Sequence, residues 1–257
     1  MLLRKGRFMR YSFYLAGLVC LMSFSLSKKK KITIWLIGDS TMSIKETKAF
    51  PETGWGMPFV YFWDSTVKVD NRARNGRSTA SFLEEGLWQP VLENMQEGDY
   101  VIIQFGHNDE VPSKKTYTTT TAFRANLEKY ISDTRSRKAY PILVTPVARR
   151  KFDDHGKVIG THDVYAGIVR ELAIEKKVPL IDLDQKGQEL IRQMGEEDSK
   201  FLFNFLQPGE HPNYPAGKED NTHFSEWGAR KIAEIVLKEL RQISPELNER
   251  VIKPVVK

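Results

Sequence analysis

The stretch that decides the fold is residues 32–41, in which the apolar run ITIWLI is followed by the turn Gly38-Asp39-Ser40-Thr41. A nearly continuous apolar run of this length is typical of a strand that is buried on both faces, as strands of parallel sheets are. The turn residues then end the strand. We therefore predict a central strand of a parallel sheet here.

Comparable apolar runs recur along the chain and are separated by helical patterns. The runs cover residues 67–69, 100–105 (YVIIQF), 141–144 and 178–183. Regular alternation of strands and helices is the pattern of consecutive βαβ units. We therefore predict an α/β fold, a three-layer αβα sandwich built on a five-stranded parallel sheet.

Three helices are indicated by apolar residues spaced three and four positions apart. The clearest begins after Ser225, a candidate N-cap, and the second follows the threonine-rich residues 118–121. The three apolar stripes are Ala229, Ala233, Val236, Leu240 and Ile243; Phe123, Leu127, Tyr130 and Thr134; and Val164, Ile168 and Leu172.

Length and composition favour a single domain. The 257 residues are 40% apolar and 28% charged, which is enough to bury a sizeable core. Neither an internal repeat nor a Pro/Gly/Ser-rich linker interrupts the pattern. We predict one domain over residues 28–243 and a peripheral C-terminal tail over residues 244–257, which opens with Ser244-Pro245.

The N-terminus carries a targeting pattern. Residues 1–10 are basic, residues 11–26 are mostly apolar, and the small residues Ser25 and Ser27 precede Lys28. This is typical of a signal peptide over residues 1–27, and an uncleaved N-terminal anchor is the alternative. In both cases the domain lies outside the cytoplasm, so we expect a secreted or periplasmic protein without a membrane span in the mature chain.

Cysteine usage and charge exclude several classes of function. The single cysteine, Cys20, lies in the leader, so the mature chain has no disulfide, thiolate zinc site or cysteine nucleophile. Four of the basic residues behind the formal net charge of +6 also lie there: Arg4, Lys5, Arg7 and Arg10. The run at residues 28–31 is expected to be a solvated tail, so a nucleic-acid partner is not supported.

Polar clusters follow the predicted strands. Besides residues 38–41, they are residues 71–78, residues 106–109 and the segment 220–223 before the last helix. Ligand and catalytic sites of open α/β sheets lie at the carboxyl ends of the strands. We therefore expect these four segments to meet at one site.

Each segment offers a catalytic residue, and each has an ordinary structural alternative. Ser40 is interpreted either as a nucleophile or as a helix cap. His223 and Asp220 are interpreted either as a catalytic base with its orienting carboxylate or as ordinary surface residues. Asn108 and Gly76 are oxyanion donors or turn residues. The four segments together supply a nucleophile, a base with its carboxylate and two oxyanion donors. This combination favours a serine hydrolase.

The four segments resemble the sequence blocks of SGNH (GDSL-type) hydrolases: Gly-Asp-Ser-Thr, the later Gly76, Gly-His-Asn-Asp and Asp-Asn-Thr-His. The Gly-x-Ser-x-Gly elbow of ordinary α/β-hydrolases is absent, since position 42 is Met. Within the superfamily, residues 54–56, 76–79, 104–109, 145–147 and 220–224 are similar to those of rhamnogalacturonan acetylesterases.

The resemblance implies a fold, a set of roles and a reaction. The fold is the flavodoxin-like SGNH hydrolase fold, over residues 28–243. Ser40 is the nucleophile, His223 the general base and Asp220 its orienting carboxylate, while the Ser40 and Gly76 backbone N–H groups and the Asn108 amide form the oxyanion hole. The reaction is removal of acetyl groups from pectic rhamnogalacturonan through an acyl-enzyme, with no metal and no organic cofactor.

Substrate-binding residues are also predicted. Arg149 and Arg150 are hypothesised to pair with galacturonate carboxylates, against the alternative of a solvated surface pair. Trp55, flanked by glycines, is kept as a sugar-stacking residue, whereas Trp63 and Trp227 are assigned to core packing. His155 and His162 and their neighbouring aspartates match no zinc spacing and are expected to lie in a solvated loop.

Two other functions stay open on the sequence. An SGNH esterase, lipase or thioesterase for another acyl ester, including acetylated xylan, is the first, although residues 44–53 (IKETKAFPET) are too polar for an acyl-chain surface. A non-catalytic glycan-binding module is the second. Such a module is expected to have lost Ser40, Asn108 or His223, and all three are present. Oligomeric state is not predicted.

Overall fold

A computed structural model describes residues 29–253. The predicted signal peptide, residues 1–27, and the last four residues, 254–257, lie outside the described residues. The chain divides into two compact units, Met1–Lys30 and Lys31–Lys257. Every element described below belongs to the second unit.

The sheet confirms the predicted architecture. Its strands are β1 Ile32–Gly38, β2 Val67–Asn71, β3 Tyr100–Gln104, β4 Tyr140–Val144 and β5 Leu180–Ile181, in the order β2-β1-β3-β4-β5. All four pairings are parallel. β5 is shorter than its apolar run because Asp182 already caps the next helix. The sequence run at residues 32–37 is therefore the central region of a parallel sheet, as predicted.

Helices cover both faces of the sheet. In chain order they are α1 Gly56–Phe59, α2 Thr79–Glu84, α3 Gln89–Asn94, α4 Thr120–Ser136, α5 Asp163–Lys176, α6 Leu183–Asp198, α7 Glu226–Ile243 and α8 Pro245–Asn248, with short 3₁₀ helices at Thr47–Ala49, Val60–Phe62 and Ser199–Leu202. Ile34 and Leu36 of β1 pack with α1, α6, α7 and α8, whereas Trp35 and Ile37 pack with α2 to α5. Within residues 29–253, no helix combines the length and apolar character needed to cross a membrane.

Helix starts follow the predicted caps. The Ser225 hydroxyl accepts a hydrogen bond from Gly228 N at the start of α7, and Thr119 caps α4 in the same way. The stripe predicted for α5 is displaced, because Val164 is exposed while Tyr165 and Val169 are buried. Leu172 is buried and Ile168 packs against the core, as predicted, so the spacing identified this helix and most of its buried face but not Val164.

The prediction of a peripheral tail is wrong for residues 244–252. Ser244 caps α8, its hydroxyl contacts the Tyr100 hydroxyl at 2.9 Å, and Leu247 is completely buried. Val251 forms a β-bridge with Trp63. The proline after Ser244 starts a new short helix, so this segment completes the core instead of leaving it.

Replacing Leu247 with alanine is expected to lower the free energy of unfolding by about 2–5 kcal/mol, because it leaves a cavity in the core. Ile252→Ala is the matched control, since Ile252 is exposed in the same segment and its loss is expected to change little. Urea unfolding measures both. Equal effects of the two variants would contradict the packing of this segment.

Candidate active site

The nucleophile turn is built from the end of β1. The Asp39 side chain accepts hydrogen bonds from Thr41 N (2.9 Å) and from the Thr41 hydroxyl (2.8 Å), and its carbonyl accepts one from Ser43 N (3.1 Å). Gly38 is required because a Cβ there would lie 2.5 Å from the Gln104 carbonyl oxygen. The turn thereby fixes Ser40 at the carboxyl edge of the sheet.

Asp39 is completely buried, and burial raises its pKa, although the hydrogen bonds from Thr41 act in the opposite direction. Its second oxygen, Oδ2, has no hydrogen-bond partner within residues 29–253. The carboxylate therefore serves the turn through Oδ1 alone.

Ser40, His223 and Asp220 form one chain of hydrogen bonds. Ser40 Oγ lies 2.9 Å from His223 Nε2, and His223 Nδ1 lies 2.9 Å from Asp220 Oδ2. Asp220 Oδ1 also accepts hydrogen bonds from the backbone N–H groups of Thr222 and His223. With Nδ1 protonated toward the carboxylate, Nε2 is free to accept the serine proton.

The carboxylate of Asp220 is held in its charged form. Burial by itself raises its pKa, but the hydrogen bond and the charge of His223, together with the two backbone donors, outweigh burial and lower the pKa well below its usual range. The group that orients His223 therefore stays ionised at neutral pH.

The two predicted oxyanion donors lie on neighbouring loops, Gly76 after β2 and Asn108 after β3, and these loops contact each other. Gly76 has φ of +77°, a conformation that favours glycine, and no atom of the described chain lies within 4 Å of a Cβ built there. The Asn108 amide donates to the carbonyl of Arg77, the residue after Gly76, at 3.0 Å. Lys114 donates to Asn108 Oδ1 at 2.8 Å, which fixes the orientation of the amide.

Asp109 fastens the Gly76 loop to the end of β3. Its Oδ1 accepts hydrogen bonds from Thr79 N (2.8 Å) and from the Thr79 hydroxyl (2.6 Å). Burial raises the pKa of Asp109 to about 6, against the opposing effect of those hydrogen bonds. The buried carboxyl group of Asp109 therefore holds the loop of Gly76 close to Asn108, its neighbour in sequence.

Sequence reasoning missed a buried lysine under the nucleophile. Lys45 Nζ donates to the Ser40 carbonyl oxygen (2.5 Å) and to Asn75 Oδ1 (3.0 Å), and pairs with Glu52 (2.7 Å). Burial lowers the pKa of Lys45, while Glu52 opposes this effect. In sequence, residues 44–53 form a polar segment in which no single residue is unusual. Only the three-dimensional contacts show that Lys45 pairs with Glu52.

Two tryptophan assignments are wrong. Trp55 is 0% exposed and its Nε1 donates to Gln104 at 2.8 Å, so its ring has no face available to a sugar. Trp227 is 46% exposed and not part of the core. Trp63 is buried, as predicted. The flanking glycines of Trp55 serve close backbone packing, since a Cβ at Gly56 would lie 2.6 Å from the Met42 carbonyl oxygen.

The two predicted substrate arginines lie near the site but carry internal contacts. Arg149 pairs with Glu110 at 3.0 Å and its guanidinium lies 3.4 Å from His107 Nδ1. Arg150 donates to Ser199 and to Asn221, each within about 3.1 Å. Both arginines line a cavity of about 770 Å³ together with Lys151 and Asn221.

The prediction of a solvated loop is wrong for His162. This side chain is buried and its Nδ1 lies 2.8 Å from Glu110 Oε2, with its ring 4.4 Å from that of His107 between centroids. Burial, followed by the charge of His162, lowers the pKa of His107 well below its usual value. His155 is exposed, as predicted.

One group of side chains in the described residues has the proximity of metal ligands. The donor atoms of Glu52, Asp220 and His223 all lie within 4.8 Å of one another. Both imidazole nitrogens of His223 are engaged, with Ser40 and Asp220, and Glu52 pairs with Lys45. These hydrogen bonds and the nearby ammonium group fit acid–base chemistry better than metal binding.

Fold and site together define the class of protein. The model of the GDSL-like Lipase/Acylhydrolase family matches residues 36–231, and the chain belongs to that family. It is a carboxylic ester hydrolase with the SGNH fold.

Several known proteins are similar to this chain. Rhamnogalacturonan acetylesterase RhgT of Bacillus subtilis is 42% identical over 225 residues, which cover 87% of this chain and 96% of the relative. The crystal structure of YxiM, also from Bacillus subtilis, superposes with a TM-score of 0.72 at 26% identity and covers 83% of this chain and 57% of that one. Axe2, an acetylxylan esterase from Geobacillus stearothermophilus, shares the fold at a TM-score of 0.59 and 17% identity, over 82% of this chain and 94% of that one.

Lys45→Met is expected to lower the free energy of unfolding by about 3–5 kcal/mol, because it leaves the largely buried Glu52 without its partner. Lys48→Met is the matched control in the same loop, since the pair of Lys48 with Glu46 is exposed. Chemical denaturation measures both changes. A Lys45 variant as stable as the Lys48 variant would contradict the described role of this ion pair.

The raised pKa of Asp109 makes stability depend on pH. The folded chain binds more protons than the unfolded chain between the ordinary pKa of 3.8 and about 6, so this carboxyl lowers the free energy of unfolding as pH rises through that window. In Asp109→Asn this contribution is absent. The stability of the variant relative to the wild type is therefore expected to increase from pH 4 to about pH 6 and then level off, and a difference that does not change with pH would contradict the assignment.

Proposed function

We propose that this chain is a carbohydrate O-acetyl esterase that removes acetyl groups from rhamnogalacturonan by way of an acetyl-serine intermediate. The observation that carries the proposal is the continuous hydrogen-bond chain from Ser40 Oγ through His223 to Asp220. The Asn108 amide and the Gly76 loop, held to each other through Arg77, supply the donors that such a reaction needs.

In the proposed mechanism, the Ser40 hydroxyl attacks the acetyl carbonyl carbon while His223 Nε2 takes its proton. The negative charge on the carbonyl oxygen is stabilised by the Ser40 and Gly76 N–H groups and the Asn108 amide. The tetrahedral intermediate then collapses: the bond between the acetyl carbon and the sugar oxygen breaks, and His223 gives its proton to that oxygen, which leaves as a sugar hydroxyl. Water, activated by the same imidazole, hydrolyses the acetyl-serine. Asp220 stays charged and stabilises the imidazolium that forms in both steps.

The pectic substrate is supported by the relative's name and by the charge near the site. RhgT, at 42% identity, is a rhamnogalacturonan acetylesterase. The cavity that contains Arg149 and Lys151 reaches Asn221, next to Asp220, and suits a galacturonate carboxylate. Arg149 binds such a carboxylate in this proposal while Glu110 keeps its guanidinium in place. Arg150, which also lines this cavity, is assigned the same task.

The site of action is proposed from the leader. Its basic start and apolar core are those of a signal peptide, which directs the enzyme to the periplasm or the medium, where polysaccharides are found. The polar loop at residues 44–53, with its Lys45–Glu52 pair, provides little surface for a long acyl chain. An acetyl group therefore fits better than a fatty acyl group.

Acetate release tests the proposal. Mature enzyme is incubated with acetylated rhamnogalacturonan, acetylated xylan and p-nitrophenyl acetate, beside Ser40→Ala. We expect the highest kcat/KM on the pectic polymer and no detectable turnover by the variant. Faster release from xylan, with the same loss in Ser40→Ala, would contradict the pectic substrate but not the serine mechanism.

Asn108→Ala is expected to lower kcat on p-nitrophenyl acetate about 100- to 1,000-fold, because one donor to the oxyanion is lost. Asn126→Ala is the matched control, since that amide lies in α4 and contacts the Thr79 hydroxyl at the start of α2 but neither Ser40 nor His223. Steady-state kinetics measures both variants. A decrease confined to KM in Asn108→Ala would contradict its role as an oxyanion donor.

A further inference from the structure

A second cavity adjoins the first at Arg150 and Asn221, which line both. It is an open groove of about 1530 Å³ that begins at Lys218 and Asn221, on either side of Asp220, and extends to Phe201 and Trp227. We call it the aromatic groove. The groove therefore starts beside the catalytic Asp220.

The groove carries aromatic rings that the fold leaves uncovered. Phe201 is 70% exposed, Trp227 is 46% exposed, and Phe205 is half-buried. Exposing large apolar rings to water is unfavourable, so several of them along one groove indicate a binding surface. Lys231 lies over the Trp227 ring, 5.8 Å from its centroid, and so covers part of it from outside the groove.

Backbone contacts hold this part of the aromatic groove in place before any ligand binds. The Ser225 hydroxyl donates to the Phe201 carbonyl oxygen at 2.6 Å and accepts from Gly228 N at 3.0 Å. A side chain at position 228 would collide with the Leu202 carbonyl oxygen, so the glycine allows the start of α7 to pack directly on the Ser199–Leu202 turn. The backbone that carries Phe201 and Trp227 is thereby held in place, which lowers the entropy cost of binding.

The charge of the groove selects the kind of sugar. In the described part of the chain, three cations line it, Arg150, Lys200 and Lys218, against six carboxylates: Glu196, Glu197, Asp198, Glu210, Glu219 and Glu226. Lys200 is already paired with Glu197 at 2.7 Å. The excess of negative charge disfavours uronates, whereas carboxylates accept hydrogen bonds from sugar hydroxyls and aromatic faces contact the C–H faces of pyranose rings.

We propose that the aromatic groove binds neutral sugar units of the same glycan whose acetyl ester reacts at Ser40, with Trp227 and Phe201 as the stacking surface. The inference rests on the proposed function and adds a subsite to it. The cavity with Arg149 takes the charged part of the glycan and the aromatic groove takes the neutral part, so the two sides of the site bind opposite ends of one ligand.

Kinetics tests the groove in the active enzyme. Trp227→Ala and Phe201→Ala are each expected to raise KM for the acetylated polymer about tenfold with kcat unchanged. Turnover of p-nitrophenyl acetate, which is too small to reach the groove, is expected to stay the same. Trp227→Tyr keeps an aromatic face and is expected to restore most of the affinity. Tyr140→Ala is the matched control, since Tyr140 is 53% exposed but lies outside the groove. An unchanged KM in Trp227→Ala would overturn the proposal.

Binding to the inactive Ser40→Ala protein identifies the sugar and separates the two proposals. Isothermal titration uses rhamnogalacturonan oligosaccharides, native and with their carboxyl groups reduced to alcohols. Trp227→Ala is expected to weaken binding of both about tenfold. If its effect disappears with the reduced ligand, the groove binds uronates and the inference is wrong. If the active enzyme releases no acetate from any glycan, the proposed function fails, while this titration still decides whether the groove binds neutral sugars.

Discussion

A single hydrogen bond, from Ser40 Oγ to His223 Nε2, joins residues that are 183 positions apart. Three features of the fold hold the two atoms of this 2.9 Å contact in place. The parallel sheet brings β1 and the helix α7 to the same edge, the Asp39 turn fixes one partner, and Asp220 orients the other. Because a hydrogen bond of this kind tolerates only a few tenths of an ångström, the rigid core on both faces of the sheet is a requirement of the chemistry.

Charged groups surround this hydrogen bond. Beneath it, Lys45 contacts the Ser40 carbonyl and Glu52, so the nucleophile turn rests on a buried ion pair. Beside it lie a cavity with three cations against two carboxylates and an acidic, aromatic groove, which share Arg150 and Asn221. A substrate with both uronate and neutral sugars fits this difference better than a uniform polymer does. In the proposed function, the triad carries out the reaction, and the cavity and the groove beside it select the substrate.

The elements and the catalytic candidates were predictable from local sequence because their determinants are local. A doubly buried strand is a continuous apolar run, and parallel strands end at one edge, which brings Ser40, Asn108 and the Asp220–His223 segment together. The errors concern packing between distant segments. Trp55 has glycine neighbours but is buried against Gln104, and Trp227 lies in a helical pattern but faces solvent. Residues 244–252 contain Pro245 near their start but return to the core. Such contacts depend on the whole chain, and no short pattern encodes them.

The central claim is that the Ser40 hydroxyl carries the acetyl group during turnover. Enzyme that is quenched in acid while it turns over acetylated rhamnogalacturonan, then digested and examined by mass spectrometry, tests it directly. We expect one added acetyl group on the peptide that contains Ser40, and none after the substrate is exhausted. Continued acetate release with that peptide never acetylated, in enzyme quenched under single-turnover conditions, would contradict it.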